Sequence, residues 1–133
     1  MKAFKQLNEV RATIEEHRLM LLLMKTEHCG VCEAIQAKVE SLVEEMPRAH
    51  SGYVYVEDVP ELASEYLVLT APVLLLFFEG REVHRFSRFV RLDELHSVLE
   101  RYIQWMDADT DIPHPEHVVA DGIFGGQQPD KRI

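Results

Sequence analysis

The only two cysteines of this chain stand three residues apart, in Cys29-Gly30-Val31-Cys32, where an apolar run gives way to a helical pattern. A thiol at the start of a helix faces unpaired backbone N–H groups and the positive end of the helix dipole, and both favour thiolate over thiol. A second thiol three residues later lies one turn on, close enough to close a small disulfide ring. One sulfur attacks a disulfide and the other displaces what the first has captured. That is the minimum equipment for thiol–disulfide exchange.

The same cysteines allow a second chemistry. Cys29 and Cys32 with His114 and His117 supply four zinc-ligand side chains, although the histidine spacing is tighter than the usual gap of three to five residues. The remaining histidines, His17, His50, His84 and His96, are scattered without ligand spacing. Phosphate loops, Ser-His-Asp sets and paired-carboxylate sites have no counterpart here, so no cofactor and no metal is expected.

What positions the dithiol can be read from the apolar periodicity. Phe4, Leu7, Val10 and Ile14 recur at helical spacing and predict a helix over about residues 2–17. Leu19–Met24 is an unbroken apolar run between Arg18 and Lys25, as a strand buried on both faces requires. Helical period returns over residues 30–46, where Pro47 stops it. Tyr53–Glu57 reads as a second strand, and Asp58-Val59-Pro60 as the entry to a short helix with Leu62, Ala63 and Tyr66 inside. Val73–Phe78 is another fully apolar strand, joined by the Glu79-Gly80-Arg81 turn to a return strand over Glu82–Ser87. Leu95, Val98, Leu99, Tyr102, Ile103 and Met106 mark a last amphipathic helix, with Asp93 and Glu94 in its first turn. The expected architecture is α/β: a three-layer sandwich with a four-stranded mixed sheet and helices on both faces.

A chain of 133 residues suits one such domain, over residues 1–106, followed by an acidic extension over 107–133. That extension holds six acidic and two basic side chains. It also holds Ile112, Val118, Val119, Ile123 and Phe124, so it is either flexible or docked on the domain or on a second subunit, which would make a dimer. The net charge of −9 argues against nucleic acid as a partner. The longest early apolar run is far short of a membrane span, and no secretory leader is apparent. A lone CxxC pair suits a reducing compartment, and a cytoplasmic protein is expected. Arg81, Arg85, Arg88 and Arg91 form a basic stretch, read either as a solvated edge strand or as an anion-recognition face beside the dithiol.

The CxxC at a strand–helix junction, this element order, and Thr70-Ala71-Pro72 before Val73–Gly80 together resemble the thioredoxin-like family over about residues 18–106. The resemblance implies a thiol–disulfide oxidoreductase with Cys29 as exposed nucleophile and Cys32 as the more buried resolving thiol. It implies a cis bond at Ala71–Pro72, with Ala71 offering its backbone to an extended client segment as an added strand. His28, Gly30, Val31, Thr70, Ala71, Pro72 and Arg88 would then line the substrate site. Disulfide-containing client proteins would be the substrates, and a thioredoxin-reductase-like enzyme or glutathione the upstream reductant. A thioredoxin-fold interaction module or redox sensor with weak turnover is the alternative.

Several positions depart from the family pattern. His28 stands where a tryptophan is usual, Val31 where a proline is, and Glu33 where a lysine often follows. The family's buried acid falls on Leu23 and its lysine partner near Val54, while a groove glycine falls on Arg88. Without the acid–lysine pair, resolution by Cys32 is expected to be slow, which stopped-flow kinetics would test. Activation of Cys29 then rests chiefly on the helix N-terminus, worth up to ~2 kcal/mol. Glu27 and Glu33 oppose it, and His28, when protonated, and Arg88 assist.

Overall fold

The two unbroken apolar runs become neighbouring central strands, because only a strand covered on both faces buries every side chain. In the computed structural model, which describes residues 1–111, the elements are β1 (Lys2–Phe4), α1 (Leu7–Glu16), β2 (Leu19–Lys25), α2 (Gly30–Glu44) and β3 (His50–Tyr55). They continue with α3 (Glu61–Glu65), β4 (Val73–Phe78), β5 (Arg81–Ser87) and α4 (Leu92–Asp111). The sheet order is β1-β3-β2-β4-β5. β3 runs parallel to β1 and β2, while β4 runs antiparallel to β2 and β5.

The sheet therefore has five strands where the sequence reading has four. Lys2–Phe4 is a strand, and the helix begins only at Leu7. Phe4 satisfies the helical spacing by coincidence, and three residues are too few to display alternation. The edge strand is fixed by Phe4, which is buried, and by Gly52 on β3, whose missing side chain makes room for the Phe4 ring.

Alternation along β2 divides the core. Met20, Leu22 and Met24 join Phe4, Leu75 and Phe77 under Val10 and Ile14 of α1 and Leu62 of α3. Leu19, Leu21, Leu23 and Lys25 point to the opposite face. There Lys25 meets Glu33 and Gln36 of α2, and Phe78 meets Tyr102 of α4, with ring centroids 4.9 Å apart. Helices thus cover both faces of the mixed sheet, as expected.

Met1–Ile103 forms one compact unit, and a second begins at Gln104. α4 continues through the acidic run Asp107–Asp111, where the sequence reading places the end of the domain. The apolar residues of the extension from Ile112 onward, and with them the docking or dimer expectation, lie outside the described residues. Among the described residues no helix is long and apolar enough to cross a membrane.

Candidate functional site

β2 ends at Lys25, and after three intervening residues the chain turns into α2 with Cys29 as the N-cap. The Cys29 sulfur accepts a hydrogen bond from the backbone N–H of Cys32 at 3.2 Å, and the Cys29 carbonyl accepts one from Glu33 N–H at 3.2 Å. A side-chain acceptor is the usual solution for the unpaired donors of a helix start, and here the acceptor is sulfur. Cys29 and Cys32 are joined in a disulfide, with Cα atoms 5.3 Å apart. Cys29 is half-buried, Cys32 is completely buried, and Gly30 and Val31 between them are exposed. The geometry leaves one sulfur reachable from solvent and its partner behind it.

The antiparallel pairing of Met24 with Val73 brings the start of β4 alongside the end of β2. The Ala71–Pro72 bond is cis, as the resemblance implies. Pro72 is buried, Ala71 half-buried and Thr70 exposed. Thr70 and Ala71 share a shallow groove with Thr26, Val56, Val68 and Leu69. Arg88 joins this end of the sheet through its backbone N–H, which donates to the Pro72 carbonyl at 3.2 Å. Its φ of +70° is left-handed, the region that favours glycine, and this is the position where the family pattern has one. His28, just before the dithiol, is likewise left-handed at φ +57° and exposed.

Large apolar side chains stand in water around this end. Leu69 is 94% and Phe89 81% exposed, and Leu67 and Val31 are exposed as well. The arginine stretch, by contrast, does not form one face. Arg81 pairs opposite Phe78 at the far end of the hairpin, and Arg91 is engaged with Asp93 at 3.1 Å. Arg85 holds Glu82 and the Tyr66 and Leu67 carbonyls. Only Arg88 of the four stands at Pro72.

The family's acid position, Leu23, is a fully buried apolar side chain, and so is Val54, near which its lysine partner falls. A residue that sequence reasoning passed over lies close by. Lys25, taken as the charge that bounds an apolar run, is the seventh residue of β2 and only 1% exposed. Its Nζ donates to Glu33 Oε2 at 2.8 Å and to Gln36 Oε1, and it lies over the Tyr53 and Tyr55 rings at 4.5 and 4.6 Å. Burial favours losing the proton, but the bonds to Glu33 and Tyr55 outweigh it and hold the lysine above its ordinary range. The available signal was the two-residue period, which puts position 25 on the same face as Leu21 and Leu23.

For the zinc alternative, His114 and His117 lie outside the described residues. Among the described residues no group of three or more His, Cys, Asp or Glu is arranged to hold a metal ion.

Comparison with known proteins identifies the family. The thioredoxin family model matches residues 3–101. The thioredoxin-like protein YdfQ of Bacillus subtilis is 31% identical over 101 residues, covering 76% of this chain and 90% of that protein. A thioredoxin of Chlamydia caviae is 32% identical over 84 residues, covering 63% of this chain and 82% of its own length. Among solved structures, the thioredoxin of Fasciola hepatica superposes with a TM-score of 0.69 at 29% identity, over 76% of this chain and 98% of that one. The dithiol at a helix N-cap, the cis-proline beside it and the five-stranded mixed sheet have one common explanation: the chain belongs to the thioredoxin family.

Proposed function

We propose that this thiol–disulfide oxidoreductase reduces disulfides in client proteins, with Cys29 as nucleophile and Cys32 as resolving thiol. The observation that carries the reading is the unequal exposure of the two cysteines at one helix N-terminus. In the reduced protein the Cys29 thiolate attacks a client disulfide, forms the mixed disulfide and expels one client thiolate. Cys32, once deprotonated, attacks the Cys29 sulfur; the Cys29–Cys32 bond forms and the second client thiolate leaves. Two electrons pass to the client, and the departing thiolates take up protons from water. A thioredoxin-reductase-like enzyme or glutathione then restores the dithiol.

The client segment lies along Thr70-Ala71-Pro72, hydrogen-bonding to the Ala71 backbone, between His28, Gly30 and Val31 on one side and Arg88 on the other. The exposed side chains of Leu69 and Phe89 support this, being apolar area that a bound segment would cover. A lone cysteine pair suits the cytoplasm, where thiols are kept reduced.

Turnover of an insulin-type disulfide with a regenerating reductant tests the reading. Cys29→Ser should abolish turnover and Cys32→Ser should accumulate the mixed disulfide. A wild-type protein that does not turn over refutes it, and so does a Cys29→Ser variant that does. The absence of an acid at Leu23 and of a lysine near Val54 favours a second reading, an interaction module or redox sensor whose dithiol turns over weakly.

A further inference from the structure

Lys25 is a cation inside a strand of leucines and methionines. Burying a charge is costly unless it is paired and hydrogen-bonded, and the pairing here is lopsided. The Lys25 side chain is 1% exposed, but that of its counter-ion Glu33 is 58% exposed. Water screens the carboxylate far more effectively than the ammonium, so a group in the interior feels mainly the positive charge. The Tyr53 and Tyr55 rings stabilise the cation without cancelling it.

Glu33 follows Cys32 in the chain, and Gln36 lies one helical turn beyond Cys32 on the same side. The ammonium that bonds both is therefore held against the first two turns of α2, on the face of the sheet where Cys32 is wholly buried. Glu40 reaches this set only through the Gln36 amide at 3.2 Å, and Glu27, His28, Glu57 and Arg88 are exposed on the surrounding loops.

We propose that Lys25 is a positioning residue for the second half of the reaction: its buried ammonium favours the thiolate of Cys32 while Cys29 carries the client. The inference rests on the nucleophile and resolving roles assigned above. The Cys32 proton leaves to solvent, the sulfur anion is stabilised beside Lys25, and it attacks the Cys29 sulfur to close the disulfide and expel the client thiolate. Assistance that the family pattern takes from an acid and a lysine, absent at Leu23 and near Val54, comes here from one cation two residues beyond Leu23 on β2. Resolution is then faster than the loss of that pair alone implies.

The test is the pH dependence of the resolving step, followed by stopped flow after reduced protein has captured a neutral disulfide peptide. Lys25→Met should move its inflection up by about one pH unit. At pH near 7 the rate should fall only about three- to fourfold, because the rarer thiolate is intrinsically more nucleophilic. Glu33→Gln, which removes the counter-ion, should move the inflection down, and Lys25→Arg should retain the wild-type profile. Opposite signs for Lys25→Met and Glu33→Gln are the signature, since a packing role would move both the same way. Shifts of the same sign, or none, overturn the inference. If Lys25→Met does not fold, Lys25→Gln takes its place and is read against Glu33→Gln by the same criterion. Failure of Cys32→Ser to trap a mixed disulfide at Cys29 would instead refute the underlying assignment of roles.

Discussion

Arg85 is expected to be a clamp on the loop that forms one wall of the groove. Its guanidinium donates through Nη1 to the Leu67 carbonyl at 3.0 Å and through Nη2 to the Tyr66 carbonyl at 2.6 Å, while Glu82 holds it at 2.8 Å. Leu67 is left-handed at φ +54°, and Val68, Leu69, Thr70 and Ala71 follow it directly into the groove. Arg85→Met keeps the stem and removes both bonds. Each charge-assisted bond is worth roughly 1.5–3 kcal/mol where water is excluded. Arg85 is 30% exposed and the freed carbonyls can hydrate, so about 1–2 kcal/mol in total is the appropriate discount. In urea denaturation the reduced midpoint should report this loss. If about 1 kcal/mol of loop ordering must instead be supplied when a client docks, kcat/KM for a protein disulfide falls about fivefold. Hydroxyethyl disulfide, which needs only the sulfur, should react as before. Arg85→Lys recovers part of the effect, because a point charge cannot span two carbonyls and a carboxylate. Hydrogen exchange at the Val68 and Leu69 amides gives the direct readout. An Arg85→Met protein with wild-type midpoint, exchange and protein-disulfide kcat/KM would refute the clamp.

Two further outcomes follow from geometry away from the dithiol. At Gly52 an added Cβ would overlap the Phe4 ring and stand 2.8 Å from the Lys2 carbonyl oxygen, so Gly52→Ala should cost about 1–3 kcal/mol by pushing β1 off the sheet. An unchanged thermal midpoint would count against that docking. The His17 and His50 rings stack with centroids 3.6 Å apart, and loss of hydration, with the charge on His17 second, holds His50 below its ordinary range. The folded state therefore binds this proton less tightly than the unfolded chain, and its stability contribution is present above pH about 6.5 and is lost as pH falls. Stability measured from pH 8 to 5 should fall less in His50→Gln than in wild type, and parallel curves would contradict the assignment.

The central sheet was legible because two apolar runs leave no polar face, which only a doubly covered strand tolerates. The dithiol was legible because two cysteines at a strand–helix junction have few other uses. β1 was not, since Phe4 alone fits a helix as well as a strand, and its partner Gly52 shows its purpose only across the sheet. Lys25 was read by charge as a boundary, when its side of the strand was the informative property. The arginine stretch looked uniform along the chain, yet pairing separates its members, leaving Arg81 at the hairpin turn and Arg88 at Pro72. For β1 and the arginines, contacts between residues far apart in sequence decide, and local pattern carries no trace of them.

Among the described residues four with side chains adopt left-handed backbone: His28, Leu67, Glu79 and Arg88. Glu79 serves the hairpin, while the other three border the dithiol and its groove. Holding a β-carbon in that conformation costs roughly 1–2 kcal/mol at each position. Glycine or asparagine at those three sites should therefore make the protein hardier to heat. Glycine would also let the loops wander and erase the side chains a client meets. Thermal robustness and discrimination between clients are thus set against each other at the same three backbone positions, and a laboratory selection for one should be seen to erode the other.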